Sequence, residues 1–243
     1  GKDWSTVRAV NVDGTRNTLE AAARAGVSHA VHVSSVAVYG QMSGPMDEAG
    51  PLDGIIPPDD FYGRSKRLAE EAAAGIHESG RMQVTIVRPS AVYGERDRLF
   101  APDLARLLRL PVVPVMGRGD NCVPVVYAGN VAGGVGSALD GRGAGSAFNL
   151  AVDFPLTQRE LLEGLARGLG RSPTFVCLPA SLVRAVANVA DGASFMVPSL
   201  RGLSGARVAR LVLGENPYTS QRAREWLGWR PSVAHESALR RTG

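Results

Sequence analysis

Residues 7–34, VRAVNVDGTRNTLEAAARAGVSHAVHVS, decide the fold. Apolar residues recur at helical spacing from about Val7 to Ala25, with Val10, Leu19, Ala22 and Ala23 among them. Gly26 stands where a left-handed glycine closes a helix. His29–Ser34 (HAVHVS) then alternates and is rich in Val, which predicts a strand. Working outward, the Pro- and Gly-rich stretch between Gly40 and Asp60 is loop. Tyr62–Ile76 carries Leu68, Ala69, Ala72 and Ala73 on a helical face, and Gln83–Arg88 (QVTIVR) is an apolar strand stopped by Pro89. Helix, strand, helix and strand in turn favour a parallel sheet with helices on both faces.

The second half is less regular. The pattern predicts a helix over 102–109, strands over 112–115 and 123–127, a helix over 130–139 and a strand over 147–151. Thr157-Gln-Arg-Glu160 opens a further helix as a capping box. Helical stretches follow Pro179, broken at Pro198 and Pro217, and suit a smaller lobe. There is no internal repeat and no low-complexity tract.

With 243 residues, 44% hydrophobic and 21% charged, the chain is an ordinary globule of one large domain or a large and a small one. It contains no apolar run of membrane-spanning length. The start shows no basic segment followed by an apolar one, so no export signal is expected there. Cys122 and Cys177 cannot build a disulfide framework, lack metal-ligand spacing and suit a reducing cytoplasm, so a cytoplasmic protein without a metal is expected. The net charge of +4 raises the question of a nucleic-acid partner. Its arginines are scattered among Asp and Glu, as at Arg159, Glu160 and Glu163, so none is expected. Of 27 Lys and Arg, Lys2 and Lys66 are the two lysines, and an interior Lys in such a chain needs a reason.

Tyr62-Gly-Arg-Ser-Lys66 supplies one. Positions four apart share a helix face, so the phenol and the ammonium point into one site. A positive charge a few ångströms away favours phenolate over phenol, as a general acid/base working near neutrality requires. Arg is wider and planar, so a demand for a compact ammonium explains the exception. A surface Lys beside a half-buried Tyr is the plainer alternative. Ser34 and Ser35 fall at the end of the predicted strand, the edge where ligands bind in open α/β sheets, although a Ser pair also serves as a plain strand terminus. Pro89 ends the next strand on the same edge.

Together these segments resemble the extended short-chain dehydrogenase/reductase superfamily, the NAD-dependent epimerase/dehydratase group. The resemblance rests on Asn11-Val-Asp-Gly-Thr15, His32-Val-Ser-Ser35-Val-Ala-Val-Tyr39-Gly40, Tyr62-Gly-Arg-Ser-Lys66 with Ala69-Glu70, and Arg88-Pro-Ser-Ala-Val-Tyr93-Gly94. Val126-Tyr127-Ala-Gly-Asn130 and Leu227-Gly-Trp-Arg-Pro231 extend it over nearly the whole chain. It implies a Rossmann-type doubly wound parallel sheet with a small C-terminal α/β substrate lobe. Residues 1–150 would be the later part of the NAD(P)-binding domain, with lobe segments from about 95–125, and 151–243 mainly the lobe. It implies that Tyr62 is the catalytic acid/base, that Lys66 tunes it and bonds the nicotinamide ribose, and that Ser35 orients the substrate. Asn11 would lie near the site. Ser34, Pro89, Ser90, Ala91 and Val92 would line the cofactor, NAD or NADP. The superfamily's common four-helix contact, built partly on the Tyr62 helix, leaves a homodimer open.

One departure matters. No complete G-x-G-x-x-G occurs, since Gly117/Gly119 is followed by Cys122 and Gly143/Gly145 by Phe148 where the third Gly belongs. The chain is therefore expected to be the later part of a longer protein and to bind NAD(P) weakly by itself. Sugar-nucleotide members carry an Arg where Val123 stands, while Asn121 and Asn130 look like the 3β-hydroxysteroid and sterol dehydrogenase branch. Leu178–Val189 is amphipathic and suits lobe packing, an apolar pocket or a membrane surface; Arg118 or Arg201 could still grip a phosphate. The expected activity is oxidoreduction of a secondary alcohol or ketone on a small, sterol-like molecule. A nucleotide-sugar epimerase or dehydratase is the alternative, and a non-catalytic dinucleotide-sensing or RNA-binding relative a further one.

Overall fold

The computed structural model describes residues 3–42, 44–98, 100–179, 181 and 216–242. Nearly all of the 178–189 stretch, Arg201 and most of the helical pattern after Pro179 lie outside these residues. The chain divides into two compact units and crosses between them several times.

The first unit comprises Gly1–Ser90, Gly129–Asp153 and Pro217–Ser232. It opens with α1 (Trp4–Arg8), a wide π-type turn over Ala9–Asp13, and α2 (Gly14–Arg24). A single unbroken helix was the expectation from the apolar spacing, and the wide turn at its centre is a correction; Asn11 lies at its middle. Gly26, at φ 80, closes α2, with Gly26 N donating to Ala23 O and Val27 N to Ala22 O. Then come β1 (His29–Val33), α3 (Phe61–Glu78), β2 (Gln83–Pro89), with α5 (Ala128–Leu139), β6 (Ala147–Leu150) and α7 (Gln221–Trp226) returning later in the chain. The strands form a parallel sheet in the order β1-β2-β6. Leu19, Ala73, Ile76, Met82 and Val84 pack α2 and α3 on one face.

Side chains close the outer edge of β6. Glu48 accepts from Asn149 N at 2.6 Å, and Ser220 Oγ accepts from Ala151 N and Val152 N, each at 3.0 Å. The Leu227–Pro231 motif explains itself here: Gly228 turns the chain at φ 67, and Trp229, 1% exposed, donates from Nε1 to Asn130 O at 2.9 Å.

The second unit comprises Ala91–Ala128, Phe154–Asn216 and Val233–Gly243. It pairs β3 (Ala91–Tyr93) with β5 (Val125–Tyr127), and β4 (Val112–Met116) with β7 (Thr174–Leu178), both in parallel. Around them α4 (Ala101–Leu107), α6 (Gln158–Gly168) and α8 (His235–Thr242) bury Leu104, Val113, Leu161, Leu165 and Leu239. The capping box of α6 forms as read, Thr157 and Glu160 each satisfying the other's backbone N–H. β3 and β7 were not foreseen. Three residues are too few to show a period, and Thr174–Leu178, although bracketed by Pro173 and Pro179, carries too short an apolar run to separate strand from helix by period.

Candidate active site

Asp60 caps α3, its Oδ1 accepting from Gly63 N at 3.0 Å, and this sets where Tyr62 emerges. Gly63 is required next to it, because a Cβ there would lie 2.9 Å from Asp60 Oδ2 and 3.1 Å from Ala37 O. The same distance shows that the start of α3 rests on the 3₁₀ turn Val36–Tyr39, which follows Ser35 directly. Tyr62 is 47% exposed, and one helical turn on, Lys66 Nζ lies 5.9 Å from the centre of its ring. Lys66 reaches the end of β1 and donates to Val33 O at 3.0 Å. An ammonium has three donors, so this bond fixes the side chain without exhausting it.

The other expected residues gather as follows. Ser35 caps the 3₁₀ turn, its Oγ accepting from Ala37 N at 3.2 Å, which leaves the hydroxyl proton available. Ser34 is buried, its N donating to Val87 O, and its Oγ makes no hydrogen bond. Asn11 donates from Nδ2 to Ser65 Oγ at 2.9 Å, and Ser65 donates to Tyr62 O at 2.9 Å, so Asn11 braces the turn that carries Tyr62. Pro89 ends the central strand opposite Leu150, and Ser90 is buried, donating to Ala151 O at 2.7 Å. Ala91 and Val92 belong to the second unit, where they open β3.

Three features escaped the sequence reading. Arg67 donates from Nε and Nη2 to Val38 O, at 2.9 and 2.6 Å, and from Nη2 to Gly54 O at 3.0 Å, tying α3 to the 3₁₀ turn and the loop beyond. Below lies a buried chain of polar groups. Arg88 grips Glu70 through Nε and Nη2, at 3.0 and 2.7 Å, and donates from Nη1 to Tyr39 Oη at 2.9 Å. Tyr39 Oη in turn donates to Asn149 Oδ1 at 2.9 Å. The available signal was a Glu four residues after Lys66 and an Arg inside an apolar strand.

His32 is the third. Its Nε2 is buried without a partner, and burial, helped by the Lys66 charge and opposed by Glu70, holds its pKa down at about 4 instead of 6.5. The unfolded chain therefore binds a proton below pH 6.5 that the folded protein refuses until about pH 4. Stability is expected to fall across that window as pH drops, by about 2–3 kcal/mol from this residue. Urea unfolding at pH 4.5 and pH 7 measures it, and the pH difference should shrink by that amount in His32→Phe.

The parallel sheet and the helices packed on it make this an α/β protein. Residues 2–151 match the model of the NAD dependent epimerase/dehydratase family, and the chain belongs to it. A 3beta-hydroxysteroid-dehydrogenase/decarboxylase isoform 2 of Arabidopsis thaliana is 28% identical over 256 residues, covering 96% of this chain and 44% of that protein. An N-acetyl-alpha-D-glucosaminyl-diphospho-ditrans,octacis-undecaprenol 4-epimerase of Escherichia coli O157:H7 is 32% identical over 173 residues, covering 70% of this chain and 51% of that protein. The chain thus spans about half the length of these curated relatives. The fold is shared with UDP-glucuronic acid 4-epimerase from Bacillus cereus, solved in complex with NAD, at a TM-score of 0.67 and 21% identity over 99% of this chain and 68% of that one. Among the described residues no helix is long and apolar enough to cross a membrane.

Proposed function

We propose that this chain is the acid/base-bearing part of an NAD(P)-dependent oxidoreductase acting on a secondary alcohol or ketone of a small, sterol-like molecule. The single observation that carries the reading is the Tyr62–Lys66 pair, held on one helix face with the ammonium tethered to the end of β1. The nicotinamide half of a dinucleotide suits these residues, since the unpaired, buried Ser34 Oγ and the spare Lys66 donors offer it polar partners at a strand end. Pro89 and Ser90, at the end of β2 in the same unit, would border it. The pyrophosphate half has no Gly-rich loop to receive it in this sequence.

When bound, the nicotinamide supplies the hydride acceptor or donor. In the oxidative direction Tyr62 Oη takes the hydroxyl proton of the substrate as its carbon–oxygen bond becomes a carbonyl; in reduction it returns that proton. Lys66, beside the ring, balances the negative charge that the phenol oxygen carries when it has no proton. Ser35 donates its hydroxyl proton to the substrate oxygen and fixes its position, while Asn11, through Ser65, keeps the first turn of α3 in place. The sterol-like preference rests on the similarity to the Arabidopsis dehydrogenase/decarboxylase. The bacterial epimerase keeps a second reading in view, epimerisation or dehydration of a nucleotide-linked sugar.

The test offers the full-length protein NAD or NADP with 3β-hydroxysteroid alcohols, and separately UDP- and dTDP-sugars. Net appearance of reduced nicotinamide at 340 nm with the steroids is expected. Turnover of a sugar nucleotide with no net reduced cofactor would replace this reading with the second.

A further inference from the structure

The buried ion pair beneath the site makes contact with its chemistry. Glu70 lies one helical turn beyond Lys66 on α3, 4% exposed, and Arg88 on β2 holds it through two nitrogens. Arg88 is 5% exposed and reaches on to Tyr39 at the end of the 3₁₀ turn, the turn that Ser35 caps. One carboxylate is therefore placed between the helix that carries Tyr62 and Lys66 and the segment that carries Ser35. We propose that Glu70 is a positioning residue of this site: clamped by Arg88, its carboxylate sets α3 against the 36–39 turn and, one helical turn from Lys66, balances the charge of the ammonium that Val33 O holds at the end of β1. The proposal rests on the reading that Lys66 serves Tyr62.

The charges around Lys66 agree with it. Tyr62 and Glu70 face it from α3, His32 from β1, and Arg88 acts from β2 through Glu70. Burial pulls the Lys66 pKa down and Glu70 pushes it back up. His32 is neutral above its pKa of about 4 and adds no second cation at working pH.

The sequence provides a clean probe, because Lys66 and Lys2 are its lysines. In protein labelled with [13Cε]lysine, the signal lost in Lys66→Arg reports the Lys66 titration directly. Glu70→Gln is expected to lower its midpoint by about one pH unit, and Arg88→Met, which leaves the carboxylate unpaired, to raise it by a similar amount. Loosened packing alone would move both variants the same way. Where a single variant fails to fold, Glu70→Leu/Arg88→Met removes both charges together, and its midpoint should fall below that of the wild type but stay above that of Glu70→Gln. Shifts of one sign in both single variants, or a double-variant midpoint at or above the wild-type value, would overturn the proposal. The titration needs neither substrate nor turnover, so failure of the oxidoreductase reading shows separately, in the 340 nm assay.

Discussion

Tyr62→Phe is expected to lower turnover about 10²–10⁴-fold, the usual worth of a positioned acid/base group, while leaving the substrate KM within a small factor. The proton moves only as the substrate oxygen changes between hydroxyl and carbonyl, so the phenol's contribution falls on kcat. Stability should stay within about 0.5 kcal/mol, because the ring is 47% exposed and the substitution removes only a hydroxyl at its rim. Matching urea midpoints therefore keep a loss of rate from being read as unfolding. Steady-state kinetics at saturating cofactor, alongside circular dichroism, measure both. A Phe variant within threefold of wild type would remove Tyr62 from the mechanism and return attention to the non-catalytic, dinucleotide-sensing alternative.

The second large effect concerns the Arg88–Glu70 pair, bonded at 2.7 Å with side chains 6% and 5% exposed. Arg88→Met or Glu70→Leu alone strands a buried charge and is expected to cost about 3–5 kcal/mol. That is a large part of the roughly 5–15 kcal/mol that holds an ordinary domain folded, so each single variant should unfold at markedly lower urea. The double variant buries two apolar side chains where two ions had to be desolvated, and it should recover most of the loss. Urea titrations of the four proteins form a double-mutant cycle, with a coupling of at least about 2 kcal/mol expected. Independent, additive losses below about 1 kcal/mol each would show that the pair acts as an exposed one does.

The legible and illegible parts of this sequence separate along physical lines. Helices α2, α3 and α6 and strands β1 and β2 announced themselves because each is long enough to show its period, with Gly26, Pro89 and the Thr157 capping box marking ends among them. Tyr62 and Lys66 could be paired because four residues on a helix is a local distance, and because a lysine is rare in this chain. The wide turn at Asn11 was hidden, since 3.6-residue spacing continues on both sides of it. The network under the site was hidden for another reason. Tyr39, Glu70, Arg88 and Asn149 meet through the sheet from points scattered over more than a hundred residues, and nothing in their spacing announces it. Tertiary packing alone brings such groups together, and periodicity carries no trace of it.

The return of residues 217–232 to the first unit bears on how the protein is made. Ser220 seals the end of β6 and Trp229 fills the space beside α5, yet both leave the ribosome after 154–216 has already emerged and gone elsewhere. Vectorial folding, in which an early segment closes before a later one appears, is thus denied to this unit. Its strands can close fully only when that late piece of chain arrives, an interval in which unpaired strand edges and apolar faces are open to association.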